Sequence, residues 1–371
     1  MDIAITSEFF PHTSDCEVRG GVEARAFHVA KNLAEKNDVT VYTLLENGLE
    51  REAEFNGISV VRVGPEVEYS QASSLSKRFM FMRNAIREIS AKSYDIVDGS
   101  SFMTYPVAWR SGCGRRVATY HDVWLGEWVG NVGFSGILGE MLERYVLSRK
   151  WDKYISVSEY TREKLVRNGV AGGDITVVHN GVDLKQCQNA KALRQDAPVI
   201  SCVSRLVGYK HVDDLIKALP IVRMEYPEAR LVLVGTGPEL ENLKSLAKKL
   251  GVSDSIDFKG FIPRHADVLE AMKSSSVYCH PSSVEGFGIT LVEAMALQVP
   301  YVASDIPPFR EATRGGVGGL LFTPGDVSDL ASKIKQALAG DVTPGAPFLG
   351  EYDWTKVGER VLKVYEGVVG K

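Results

Sequence analysis

Residues 199–219 read VISCVSRLVGYKHVDDLIKAL, and this stretch decides the fold class. The run 199–204 is almost continuously apolar, as a strand covered on both faces has to be. A cationic turn with Arg205 and Lys210 follows, and then apolar residues at helical spacing over 212–224. A second apolar run, LVLVG, begins at 231. Strand, helix and strand in this order make a βαβ unit and require a parallel sheet.

The same rhythm extends in both directions. Strands are expected at 231–234, 256–258, 277–279, 301–303 and 320–322, with helices at 239–250, 266–273, 288–296 and 327–339. Before residue 199 the expected strands are 3–6, 39–43, 59–63, 96–97, 117–120, 153–157 and 175–178. Helices at 22–35, 75–91, 136–149 and 159–167 lie between them. A chain of 371 residues exceeds what one core usually serves. Two doubly wound, Rossmann-like α/β domains follow, 1–187 and 188–345. The break is expected in the weakly patterned stretch 184–197. Residues 346–371 hold a last helix, 354–369, expected to cross back onto the first domain.

Composition removes several classes. Apolar content of 44% and charged content of 24% are ordinary for a globular enzyme. A net charge of −4 gives no global attraction to nucleic acid. The five cysteines, Cys16, Cys113, Cys187, Cys202 and Cys279, are widely spaced and form no C-x-x-C. They point to a reducing compartment. The start, MDIAITSEFF, lacks a basic segment followed by a long apolar one, and no apolar run has the roughly 18–20 residues of a membrane span. The expectation is a cytoplasmic protein, at most peripheral on a membrane. No D-x-D triplet and no H-x-x-x-H spacing occur, so neither metal nor cofactor is expected.

In open parallel sheets, ligands gather at the carboxyl ends of the strands. Two facing sheets would make a cleft there. HPSSVEGFG leads from the strand at 277–279 into a helix beginning near Gly288. Gly286 and Gly288 let the backbone approach a ligand closely. The free N–H groups of Ile289 and Thr290, with the helix dipole behind them, suit phosphate. Glu285 precedes this tip beside Phe287, and Glu293 lies about 7.5 Å along the helix. A nucleoside diphosphate sugar has the matching order of sugar, diphosphate and ribose. Glu285 would hold the sugar and Glu293 the ribose. The plain alternative for Glu293 is a solvated helix position, but its neighbours are apolar nearly all round. Arg205 and Lys210 would face the departing diphosphate; alone they would read as solvated cations.

Three further features are weaker. Gly20 and Gly21 open a helix after the loop 7–19 and could bind an anion, or simply turn the chain. His121 follows the strand 117–120 and could meet a sugar or an acceptor, or be a satisfied structural histidine. Gly235 and Gly237, in LVGTGPE, and Ile262, in KGFIPR, line a rim where a flat base could rest. These are wall-forming turns first and contacts second. The acceptor-facing wall would come from 7–19 and 124–135. Residues 74–92 mix Lys77, Arg78, Arg83 and Arg87 with Phe79, Met80, Phe81 and Met82. They read either as an interfacial helix on anionic lipid or as a rim of the acceptor cleft.

GGVE (20–23), HNGVD (179–183), VSRLVGYK (203–210), LVGTGPE (233–239), HPSSVEGFGITLVEAMA (280–296) and GLLFTPGD (319–326) resemble glycosyltransferase family 4, of GT-B architecture. The final YDWTKVGERVLKVYEGV is similar to that family's closing helix. The resemblance spans nearly the whole chain. It implies retention of anomeric configuration, no metal, and a nucleotide sugar held mainly by the second domain. It also implies Glu285 on the donor sugar, Glu293 on the ribose, Arg205 and Lys210 on the diphosphate, and His121 at the sugar. Gly20 and Gly21 would lie near the phosphates or the acceptor. One departure is His211, where the family usually has glycine after the lysine. The expected activity is hexosyl transfer from a UDP- or GDP-sugar to a hydroxyl acceptor, lipid-linked, glycan or small molecule. A catalytically silent nucleotide-sugar binder and a nucleotide-sugar epimerase are the rivals.

Overall fold

The computed structural model describes residues 1–13, 17–69, 75–193 and 195–370. Cys16 and Ser74 therefore lie outside the described residues, as does part of the loop 7–19. The chain divides into two compact units, Met1–Gly181 with Trp354–Lys371, and Val182–Asp353.

The first unit holds an eight-stranded sheet. Its strands are β1 (Asp2–Thr6), β2 (Asp38–Glu46), β3 (Glu52–Phe55), β4 (Ile58–Val67), β5 (Ile96–Gly99), β6 (Arg115–Tyr120), β7 (Lys153–Ser156) and β8 (Ile175–Val177). Their order is β3-β4-β2-β1-β5-β6-β7-β8. All neighbours run parallel except β3 and β4. The apolar pattern of the sequence does not reveal β3. Asn56 and Gly57, at φ 54° and 73°, form the tight turn that folds it onto β4. Asn-Gly is the residue pair such a turn selects.

The second unit holds β9 (Val199–Val203), β10 (Arg230–Val234), β11 (Ile256–Gly260), β12 (Val277–His280), β13 (Tyr301–Ser304) and β14 (Gly319–Phe322). They form one parallel sheet in the order β11-β10-β9-β12-β13-β14. Every residue of β12 and β13 is buried. That burial explains their largely apolar character, broken only at His280 and Ser304 where they end, and the absence of a two-residue alternation.

Two stretches expected as irregular are helical. Asp183 accepts a bond from Gln186 N and caps the helix Leu184–Asn189. That helix packs on Ile289–Ala296, within the unit that runs from Val182 to Asp353. Within 124–135, Trp128–Val132 is α-helical and Gly133–Ser135 is a 3-10 turn. The closing helix Trp354–Val369 packs on Gly21–Ala34 in the first unit. Trp354 stacks on His28 at 4.8 Å, and Gly358 leaves room for Asn32.

Candidate functional site

In the second unit β12 ends at His280, and the loop 281–288 leads to the helix Ile289–Ala296. Gly288 is its N-cap at φ 94°, where an added Cβ would strike the Phe309 ring at 2.5 Å. Only glycine suits this corner. No side chain caps the helix, so its first N–H groups stay available to a ligand.

A second loop is stitched to this one. The turn Gly208–Lys210 follows β9, and Ser283 N donates to Tyr209 O at 2.9 Å. His211 Nε2 lies 3.0 Å from Ser283 Oγ. This register lets Lys210 Nζ donate to Glu285 Oε1 in a close ion pair. His280 Nε2 stands 2.8 Å from the same oxygen. Burial would push the Glu285 carboxyl up, but Lys210 and His280 outweigh it and hold it well below the usual carboxylate range. The imidazole of His280 is shifted down, chiefly by burial.

Glu293 is the fifth residue of the helix and is 4% exposed. Its Oε1 lies 2.9 Å from His265 Nε2, while His265 Nδ1 lies 2.9 Å from Gln186 Oε1. Burial would lower the His265 imidazole; the Glu293 carboxylate outweighs that and raises it. An acceptor within reach of each nitrogen favours the protonated form of this ring, in the same direction. The carboxylate in the apolar helix thus has a half-buried imidazole as its partner.

The remaining residues divide sharply. Arg205 is exposed, and its Nη2 donates to Tyr209 Oη at 2.8 Å rather than to Glu285. Phe287 is buried edge-on against Tyr352, so its side chain serves packing. Thr290 Oγ1 already accepts from Tyr278 at 2.8 Å. A Cβ at Gly235 would fall 1.9 Å from Ser204 O, and one at Gly237 2.2 Å from Leu206 O. Those glycines let the rim turn lie directly on the backbone after β9. Gly286 and Ile262 are half-buried.

In the first unit His121 follows β6, and its Nε2 donates to Ser100 O at 3.1 Å. Burial, with Arg25 nearby, pushes this imidazole down to about 3, so it is neutral and its Nδ1 is an acceptor. Arg25 is itself buried. Its Nη1 donates to His179 O and Asn180 Oδ1, at 3.0 and 2.9 Å. Gly20 and Gly21 are exposed at the start of the helix Gly21–Ala34, and a Cβ at Gly20 would meet nothing within 4 Å.

The sequence reading missed His280, His265 and Gln186. His280 was legible, since it closes a strand immediately before the glycine loop. His265 and Gln186 carry no local signal, because His265 reaches Glu293 from 28 residues away and Gln186 meets His265 from another helix.

Residues 19–186 match the family model described as Glycosyltransferase Family 4, and residues 185–345 match Glycosyl transferases group 1. A phosphatidyl-myo-inositol mannosyltransferase of Mycobacterium leprae is 34% identical over 69% of this chain and 68% of its own. The chain belongs to glycosyltransferase family 4. It is a glycosyltransferase of hexosyltransferase type, of the class that uses nucleotide-sugar donors. A GDP-mannose-dependent alpha-(1-6)-phosphatidylinositol monomannoside mannosyltransferase of Mycolicibacterium smegmatis is 28% identical over 98% of both chains. Sucrose-phosphate synthase from Thermosynechococcus elongatus aligns over 99% of each chain, with a TM-score of 0.80 and 20% identity. Anabaena Alr3699/HepE in complex with UDP and glucose gives 0.75 and 19%, over 98% of this chain and 99% of that one. These two likenesses carry the fold, which is GT-B.

The departure at His211 has a geometric trace in this family 4 enzyme. His211 lies at φ 49°, ψ 37°, in the left-handed region that favours glycine. His211, Asp213 and Asp214 hold ligand-type atoms within 4.8 Å of one another. Lys217 Nζ already pairs with both aspartates, at 2.6 and 3.0 Å. Among the described residues no helix is long and apolar enough to cross a membrane.

Proposed function

We propose that this enzyme moves a hexose from a UDP- or GDP-sugar to a hydroxyl acceptor of lipid-linked or polysaccharide-precursor type. The anomeric configuration is retained and no metal ion takes part. The observation that carries the reading is the Lys210–Glu285–His280 cluster beside an uncapped helix tip.

The diphosphate sits on the N–H groups of Ile289 and Thr290. Lys210 has three N–H donors, and Glu285 engages one of them, so the others serve the leaving phosphate. Arg205, tethered to Tyr209 at the same turn, adds the second cation. Together with the helix dipole they stabilise the charge that develops as the bond to the sugar breaks, in place of a metal. Glu285 is an ionised acceptor, fit to hold sugar hydroxyls, and Glu293 does the same for the ribose. The acceptor hydroxyl attacks from the face the nucleotide leaves, and the departing phosphate takes its proton. His121 contributes a neutral acceptor nitrogen to the sugar or acceptor. Neither packing nor backbone geometry requires glycine at residue 20, which supports a ligand role for Gly20; Gly21 beside it opens the helix toward the same ligand. The protein works in the cytoplasm, with the basic helix Leu75–Ser90 at the membrane face.

Product analysis by NMR, after a screen of UDP- and GDP-sugars for donor hydrolysis, tests each part. An inverted linkage overturns retention, and loss of activity with EDTA overturns metal independence. Tight donor binding with no turnover of any sugar would leave the silent binder.

A further inference from the structure

Exposed apolar side chains concentrate in one place. Among the described residues, Val129, Val132, Phe134, Ile137, Leu138 and Met141 all lie open to solvent within thirteen positions. Phe134 is 89% exposed, at the 3-10 turn between the helices Trp128–Val132 and Gly136–Leu147. No charged residue occurs from 128 to 139. A patch of this kind on a water-soluble surface marks an interaction site.

The hairpin under the patch is built rather than loose. Trp128 is seated on glycines: a Cβ at Gly139 would meet its ring at 2.5 Å, and one at Gly136 its carbonyl at 2.4 Å. Trp128 Nε1 donates to buried Glu143 Oε2 at 2.6 Å, and Trp124 N donates to the same oxygen at 3.1 Å. Gly126 N is held by Glu140 at 2.8 Å. Phe102 and Trp124 pack on the Trp128 ring at 4.5 and 5.1 Å. The inner face is thus fully engaged. The outer face is left to a partner.

The charges nearby select that partner. The turn Phe102–Thr104 also touches the helix Leu75–Ser90. That helix exposes Leu75, Phe79 and Met80 together with Lys77, Arg83 and Arg87. A second copy docked symmetrically would set these cations against their own kind. An anionic lipid surface complements them while accepting the apolar tip. We infer that the hairpin 128–141, with Phe134 at its tip, inserts into the interfacial layer of an anionic bilayer. It forms a membrane-docking element separate from the basic helix. The inference goes beyond the proposed transfer reaction and assumes nothing about its chemistry.

The test is flotation of the full chain with two vesicle types, phosphatidylcholine alone and phosphatidylcholine mixed equally with phosphatidylglycerol. Wild type binds the mixed vesicles at low salt. F134E/M141E lowers the partition coefficient by about tenfold to a hundredfold. K77E/R83E weakens binding to the mixed vesicles only, and more so as salt rises. M224E, at an 82% exposed methionine of the second unit, changes nothing. Circular dichroism and the thermal midpoint show that each variant folds. Undiminished binding of a folded F134E/M141E overturns the inference, as does failure of wild type to bind the mixed vesicles. So does a dimer that F134E converts to monomer without altering vesicle binding.

Discussion

Glu285 and Glu143 are both carboxyls placed beneath a loop that follows a strand, yet their surroundings drive them in opposite directions. Glu285 meets an ammonium and an imidazole, which hold it ionised well below its ordinary range. Burial pushes Glu143 up to about 7; the two N–H groups it accepts from Trp128 and Trp124 pull the other way and do not cancel this. The comparison separates a loop built around a fixed charge from a loop built around packing. The first suits a site that handles an anionic leaving group. The second suits a scaffold that presents apolar side chains.

The hardest blow to the charged loop is Lys210→Ala. Turnover should fall by about 100- to 1000-fold, as when one electrostatic donor to a leaving group is removed. Stability should drop by about 3–5 kcal/mol, because Glu285 is left without its ammonium partner. Adding Glu285→Ala should restore most of the stability and none of the activity. Steady-state donor hydrolysis with urea titrations checks both halves, and near-normal turnover in the single variant would remove the diphosphate assignment.

Gly139→Leu should lower stability by about 1–3 kcal/mol, because Trp128 has nowhere to move. Near-UV circular dichroism should report the altered tryptophan environment. Retained wild-type spectra would contradict the described packing.

The two carboxyls should also give opposite pH slopes. Glu285 has a lowered pKa, so its contribution is present above about pH 4.5 and lost as the pH falls. Glu143 has a raised one, so stability declines as the pH climbs from about 4.5 through about 7. Glu285→Gln should flatten the acid limb of a stability profile, and Glu143→Gln the neutral one. Urea midpoints from about pH 2 to 8 decide, and identical profiles for the two variants would erase the contrast between the two carboxyls.

The smallest expected effect lies at the edge of the charged loop. His211→Gly should relieve left-handed strain of about 1 kcal/mol, partly offset by losing the bond to Ser283. A thermal midpoint that falls clearly would show that the imidazole matters more than the backbone.

Local pattern carried the six strands of the second unit and seven of the eight in the first. Apolar runs, turns and helical spacing all act within a few residues. β3 escaped because its alternation is short and polar, although Asn56-Gly57 announced the turn. The stretch 128–135 read as loop because its apolar residues face outward and match no core stripe, whereas the helix from Gly136 was expected. At the site, Glu285, Lys210 and the helix start at Gly288 were legible together, since strand ends and glycine loops are local features.

The sequence by itself determined two parallel α/β layers, the loops that end their strands, and the charged residues those loops carry. Each depends on neighbours along the chain. Only the tertiary structure decided which charges meet: that Lys210 closes on Glu285, that His265 reaches Glu293, and that His121 is neutral beside buried Arg25. Ion pairing and desolvation depend on distances through space between residues far apart in sequence, and no local pattern encodes them.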